Sequence, residues 1–231
     1  MARRIPDDRL PQLIETATNV FIEQGYRRTQ MADIAQALGL AKGTLYLYVE
    51  SKEALFDLVV RHADDEGRVG EGLTLPVKTP RPGVTLRYVQ GELARHQRLP
   101  ALAEALARRR ITNVPRELES IIRELFQALA RNRRRIKLID RSARDYPELA
   151  ALWFDGTRGG FLGLLEHYLQ ERMRRGTLRS VPDVPAAARL MLETTVFWAV
   201  HRHWDLNPQQ ADETTAENTV VHFLVTGLTK E

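Results

Sequence analysis

The sequence contains no cysteine. That excludes a disulfide framework, a thiolate nucleophile and any cysteine-ligated zinc or iron–sulfur centre, so a metal would have to be held by histidine and carboxylates. Histidine is also scarce, with 6 in 231 residues, and the positions are scattered. The tightest set, His201-Arg202-His203, puts its imidazoles two positions apart, and on a helix such side chains diverge, whereas ligand pairs need a spacing of three or four. No nucleophile–base–acid set stands out. Neither a metal nor another cofactor is expected, and the chain is not expected to be an enzyme. A run of about eighteen uncharged apolar residues is missing, and Met1-Ala-Arg-Arg-Ile-Pro has no apolar stretch of the signal-peptide kind. Neither membrane insertion nor export is indicated, and the expected location is cytoplasmic. Strand-like alternation, internal repeats and low-complexity tracts are absent as well.

What is present is helical periodicity almost throughout, with 43% apolar residues to build a core. From Asp8 to Gln24 an apolar face collects Leu10, Leu13, Ile14, Ala17, Val20 and Phe21, and Gly25 reads as the stop. Thr29 is placed to cap a short helix to about Leu38, a second short helix follows to Val49, and Ser51 caps a longer one. The glycine- and proline-rich stretch Gly67 to Gly83 is the natural boundary. Beyond it, apolar-periodic segments recur at 84–98, 100–110, 115–132, 133–140, 147–174, 184–204 and 211–228. The expected fold is all-α: an N-terminal bundle over residues 1–62, a connecting loop over 63–83, and a larger helical domain over 84–231.

Net charge is +4, unevenly spread: residues 1–60 carry 7 Lys+Arg against 8 Asp+Glu, and residues 61–180 carry 24 against 15. The basic runs Arg108-Arg109-Arg110 and Arg133-Arg134-Arg135 are read as solvated helix faces rather than as a nucleic-acid patch.

The stretch Gly39 to Phe56, GLAKGTLYLYVESKEALF, holds the chemistry. On a helix from Ala41 to Val49, Leu45 and Val49 lie four apart and share the inward face. Lys42, Gly43, Thr44, Tyr46 and Tyr48 are then left outside or at its boundary. A short helix following a glycine-containing turn has the form of a helix-turn-helix, whose second helix enters the major groove. There Gly43 lets the backbone approach phosphate, Lys42 and Lys52 neutralise phosphates, and the tyrosines offer hydroxyls to phosphate and ring edges to thymine methyls.

These residues carry a resemblance. The pattern AxxxFxxxGYxxT, here Ala17, Phe21, Gly25, Tyr26 and Thr29, followed by DIAxxLGLxKGTLYxYVxSKEALF, resembles the tetracycline-repressor (TetR) family of bacterial transcriptional regulators from Ile14 to Leu58. The resemblance implies that Thr29–Leu38 and Ala41–Val49 form the helix-turn-helix. By position it makes Lys42, Gly43, Thr44, Tyr46 and Tyr48 DNA contacts, with Lys52 and Thr29 gripping the backbone. Two positions depart from the family pattern: Ala41 stands where a capping Ser is common, and Val49 where Phe is common. The resemblance further implies an effector-binding core in residues 84–231 and a homodimer seam, the seam falling to the helices near 184–204 and 211–228. The function it implies is a dimeric, ligand-responsive regulator, a repressor of a palindromic double-stranded DNA operator released by a small-molecule effector. A constitutive DNA-binding protein is the alternative.

For the effector, Trp153, Gly156, Gly160, Gly163 and His167 recur at helical spacing, a lane of small residues closed at each end by a ring. Such a lane serves either a close helix crossing or a ligand. In the second case Phe197 and His201 would face it and supply an apolar wall and one polar group.

Overall fold

The computed structural model describes residues 9–65, 73–96, 99–108, 110 and 113–230. Among them the ordered elements are helical, with two isolated β-bridges, Val49 to Val77 and Leu178 to Thr229, and no strand. No described helix is long and apolar enough to cross a membrane. The chain divides into two compact units, one of Met1–Glu92 with Arg134–Trp153, the other of Leu93–Arg133 with Phe154–Glu231. This division by packing does not follow chain order, since residues 134–153 join the N-terminal unit. The three-part division of the sequence at 62 and 83 describes function rather than packing, and it remains a proposal.

In the first unit, α1 (Arg9–Gln24) buries Leu13, Ile14, Ala17, Val20 and Phe21, the face that its spacing predicts. It ends where Gly25 takes φ 84°, a left-handed conformation that side chains disfavour. Asp145 Oδ2 would lie 3.0 Å from a Cβ at that position, so the glycine also admits a close neighbour. Helices α2 (Met31–Ala37), α3 (Lys42–Leu45) and α4 (Lys52–His62) follow. Ser51 caps α4 as expected, its hydroxyl accepting from the Ala54 N–H at 3.1 Å. Helix α2 starts one residue later than expected, with Gln30 at the cap position. Helix α5 (Val84–His96) belongs to this unit as far as Glu92.

Helix α8 (Arg133–Ala143) is held to the N-terminal helices by reciprocal capping. The Asp64 carboxylate accepts from the backbone N–H groups of Arg134 and Arg135, the free donors at the start of α8. Arg135 in turn donates to the carbonyls of Val60 and Arg61 in the last turn of α4, and it pairs with Glu92 at 3.4 Å. Burial raises the Asp64 carboxyl above its usual value, against the pull of Arg135. These arginines are therefore internal fasteners rather than the solvated face expected of them. Arg109, in the other basic run, lies outside the described residues.

The second unit contains α6 (Pro100–Ala107), α7 (Val114–Arg131), α10 (Gly159–Arg174), α11 (Val184–Ala199) and α12 (Glu213–Leu228). Pro115 and Pro185 stand in first turns, and the Asn113, Asp183 and Asp212 side chains accept from backbone N–H groups there. Helix α11 packs on α7, α10 and α12, and α6 lies against α7 and α10. The segment 147–174, which reads as one helix, is broken into α9 (Pro147–Ala150), a π-helical stretch Ala151–Arg158, and α10. The wide turns fall where Gly156, Gly159 and Gly160 weaken the α-helical preference. The segment 184–204 likewise ends its α-helix at Ala199 and closes with a 3₁₀ turn, His201–Trp204.

At that turn the Glu213 carboxylate receives Arg133 at 2.5 Å and Arg202 at 3.3 Å, while Arg133 Nη1 lies 2.7 Å from His203 Nε2. The imidazole must accept there, so it is neutral. Burial, with Arg133 and Arg202 next to it, holds the His203 pKa below its ordinary value, and Glu213 opposes them only in part. The folded state thus binds this proton less readily than the unfolded chain. The stabilisation is complete above the ordinary histidine pKa of about 6.5 and is lost as pH falls through the lower folded value. Thermal melting between pH 7.5 and 5 should therefore show a fall in Tm with acidification that is smaller in His203→Gln, which keeps an acceptor but does not titrate. An equal fall in both proteins would remove His203 from the account.

Candidate nucleic-acid interface

Helix α2 ends at Leu38, and Gly39, at φ 64°, turns the chain so that the Leu40 N–H bonds the Ala35 carbonyl at 2.9 Å. This is a left-handed turn that glycine permits. Ala41 then stands extended at the cap of α3 with no side-chain bond to its first turn, as expected of a residue without a hydroxyl. The α-helical hydrogen bonding of α3 runs only from Lys42 to Leu45, shorter than the sequence suggests. The chain continues in tighter turns, Leu47 N–H to Thr44 O and Tyr48 N–H to Leu45 O.

A segment from the expected linker accounts for the early end. Val77 donates its N–H to the Tyr48 carbonyl at 2.8 Å and accepts from the Glu50 N–H at 3.0 Å, a parallel bridge that fixes Val49 in extended form. The Glu50 carboxylate is held by Lys78 Nζ at 2.6 Å and by the Thr79 N–H at 2.9 Å, and these bonds lower its pKa. The Thr79 hydroxyl donates to Ser51 Oγ at 2.9 Å. Residues 77–79 thus strap the end of α3, a contact that no local sequence signal announced. Residues 66–72 of the linker lie outside the described residues.

Leu45 and Val49 are fully buried. Lys42 and Gly43 are exposed, Thr44 is half-buried, and Tyr46 and Leu47 are 42% and 52% exposed. No atom lies within 4 Å of a Cβ built at Gly43. Packing therefore gives no reason for a glycine there, although it costs a helix up to about 1 kcal/mol relative to alanine. Bare backbone on an open surface suits close approach by a ligand.

Three of the expected contacts have partners within the chain. The Thr29 side chain is fully buried, and its hydroxyl donates to the Gly25 carbonyl at 2.7 Å, closing the turn after α1. Tyr48 is 4% exposed, because the tight turns rotate it inward while Tyr46 stays out. Lys52 Nζ donates to the carbonyls of Tyr26 and Thr29, both at 3.1 Å, and sits 4.7 Å from the centre of the Tyr26 ring. Its ammonium is committed to the α1–α2 turn. Tyr26 itself donates its hydroxyl to Glu53, packs at a tilt against Phe56 and stacks with Tyr146; burial first, then Glu53, push its phenol above the ordinary value. The sequence reading passed over Arg27 and Arg28, both exposed beside Thr29, and Leu47. A pair of basic residues in a turn is too common a feature to single them out.

The expected effector residues are divided between the two units. Trp153 belongs to the first unit, where its Nε1 donates to Asp140 Oδ1 at 3.1 Å. Gly156, Gly160, Gly163 and His167 are exposed, Phe197 is 36% exposed and His201 is half-buried. These four positions lie on the surface of the second unit. A cleft of about 220 Å³ opens instead between α7 and α12, lined by Glu119, Arg123, Val221 and His222 among others.

Residues 13–59 match the family described as bacterial regulatory proteins, tetR family. Across nearly its whole length the chain is similar to the fatty acid metabolism regulator protein of Bacillus subtilis (strain 168), with 27% identity over 217 residues and 94% of each chain covered. Among solved structures, a TetR-family transcriptional regulator from Streptomyces coelicolor A3 shares the fold with TM-score 0.57 at 21% identity, covering 94% of this chain and 91% of the other. The ketosteroid transcriptional regulator of Mycobacterium tuberculosis gives TM-score 0.55 at 19% identity, with 98% of each covered.

If residues 77–79 hold α3, Val77→Pro, which removes the N–H donated to Tyr48, should raise amide exchange at residues 46–50 by about five- to tenfold, the worth of one hydrogen bond of about 1 kcal/mol. Exchange in α1 should not change. Unaltered protection at 46–50 would show that the strap is passive.

Proposed function

We propose that this chain, whose residues 13–59 match the TetR family of bacterial regulators, is a homodimeric repressor that binds a palindromic operator and is released by a small-molecule effector with a fatty acyl chain. The observation that carries the DNA-binding reading is the outward display of Lys42, Gly43, Thr44 and Tyr46 within one short stretch whose other side chains, Leu45, Tyr48 and Val49, are inside. Lys42 serves as a phosphate contact, Gly43 as the point of close backbone approach, and Thr44 and Tyr46 as groups at the groove and its edge. Thr29, Tyr48 and Lys52 act one layer behind, setting the turn and the pitch of α3. Arg27 and Arg28 supply further positive charge to a near-neutral domain. Functionally, residues 1–62 read DNA, 63–83 connect, and 84–231 bind effector and partner subunit. This is the work of a regulator, not of an enzyme, and it is carried out in the cytoplasm.

The dimer reading is supported by unpartnered apolar side chains on helices that pack side by side. Leu164 of α10, Leu190 of α11 and Phe223 of α12 are 42%, 66% and 75% exposed. Large apolar groups on neighbouring helices mark a surface that another chain covers, and a second copy related by a two-fold axis would cover them with the same face. The exposed glycines of the lane then allow close helix crossing between subunits, the structural alternative that their spacing left open. The acyl effector is proposed from the likeness to the fatty acid metabolism regulator. It acts by favouring one arrangement of the two DNA-reading domains, because only a difference in affinity between two states shifts operator binding.

Footprinting on a site selected from random DNA should show two inverted half-sites whose centres lie about 34–36 Å apart. One unrepeated half-site held by a monomer would overturn the reading. Tyr46→Ala should weaken cognate DNA by roughly ten- to a hundredfold and random DNA less. Lys42→Ala should weaken both alike and lower the salt slope by about one unit. Leu190→Glu combined with Phe223→Glu should shift sedimentation to the monomer, and an unshifted dimer would place the seam elsewhere.

A further inference from the structure

Among the described residues, Tyr46 and Leu47 are the only large apolar side chains of the first compact unit that stand exposed. A single exposed leucine on a protein surface is ordinary. Leu47, at 52% exposure, differs because it lies inside the stretch that displays Lys42, Gly43 and Tyr46, with its backbone held on both sides. Leu45, Tyr48 and Val49 are buried, the Leu47 N–H bonds the Thr44 carbonyl at 3.2 Å, and the Val77 N–H bonds the Tyr48 carbonyl. Leu47 therefore cannot turn inward without dislodging its neighbours. It follows Gly43 by four positions and Thr44 by three, so on a helical path it shares their side. The glycine without a packing reason and the uncovered leucine thus lie together.

Chemistry selects what would cover this side chain. An isobutyl group has no donor for phosphate, and laying it on the charged backbone would strip water from that backbone with nothing in return. In the major groove, G, C and A present hydrogen-bonding groups, whereas T adds a C5-methyl. Thymine is the base whose edge gains from an apolar neighbour. Tyr46 is not bound by the same argument, since its hydroxyl can reach phosphate or water. Position 47 is also one that the pattern TLYxYV leaves open, so the family resemblance gives it no role.

We propose that Leu47 is a specificity-determining contact, packing on the C5-methyl of one thymine in each operator half-site and so selecting T·A there. This rests on the operator-binding reading and adds which base is read and by which group. The contact carries no charge and forms no hydrogen bond. It contributes to sequence preference without adding to the salt-dependent grip on the backbone.

The test is a thymine-to-uracil scan of the operator selected by the full-length protein, since uracil lacks only the methyl and keeps the same hydrogen-bonding edge. For wild type, uracil at one symmetry-related position should weaken binding about fourfold per half-site, the worth of one buried methyl group, and roughly fifteenfold when both half-sites are changed. Leu47→Ala should bind thymine and uracil alike at that position, whereas Tyr46→Ala should keep the difference. Affinity for random DNA and its salt slope should match wild type in Leu47→Ala, which reports an intact fold and backbone grip. Leu47→Gln, which keeps the bulk and replaces the apolar end, should abolish the difference in the same way. A selected operator whose half-sites share no thymine, or a scan in which no uracil weakens wild type, overturns the assignment and leaves the leucine to a protein partner. A difference that survives in both Leu47 variants overturns it too and passes the methyl to another side chain. Wild type that prefers no sequence over random DNA overturns the operator-binding reading itself, which separates the two failures.

Discussion

The burial of Leu45, Tyr48 and Val49 is the constraint on which the proposed DNA-reading surface depends. All three are inside the first compact unit, and the backbone between them is too short to hide anything else. Lys42, Gly43, Tyr46 and Leu47 are outside as a geometric consequence. The turn before this stretch is set by Gly39, and its end is set by Val77 and Glu50 pairing with the strap. Held at both ends, a stretch with a single turn of α-helix keeps one orientation, which a helix of that length could not do from its own hydrogen bonds.

Charge in this protein is used for fastening more than for display. Asp64 and Arg135 cap each other's helices, Arg172 and Glu117 form a buried pair, and Arg123 ties α7 to Glu217 and Asn218 on α12. Lys52 belongs to the same set, since three carbonyls around the α1–α2 turn lie within reach of its ammonium. Guanidinium groups suit this work because one side chain satisfies several helix-end carbonyls at fixed angles. The outward positive charge of the reading domain is therefore small, and individual residues such as Lys42, Arg27 and Arg28 carry more weight in it than they would on a strongly basic surface.

Helix α10 has two different faces. Leu164 stands outside, 42% exposed, and Arg172 inside, where Glu117 of α7 matches its charge. The outer apolar residues of α10, α11 and α12 are the ones suited to the proposed partner subunit.

Much of the fold follows from the sequence alone. The apolar spacing of α1, α4 and α7, the Ser51 cap, the glycine at position 25 and the prolines in first turns are local features, and local patterns are what a sequence records directly. The same holds for the inward Leu45 and Val49 and the outward Lys42, Gly43 and Tyr46. What the tertiary structure alone decided are the matters that depend on partners distant in sequence. Tyr48 turns inward because residue 77 shortens the helix from a distance, and Lys52 is engaged because three carbonyls from residues 26 to 29 converge on it. The glycine lane faces out because the helix carrying it buries Phe161, Leu165 and Leu169 instead. Helical spacing tells which residues share a face and leaves open which way that face points; only packing against the rest of the chain settles the direction.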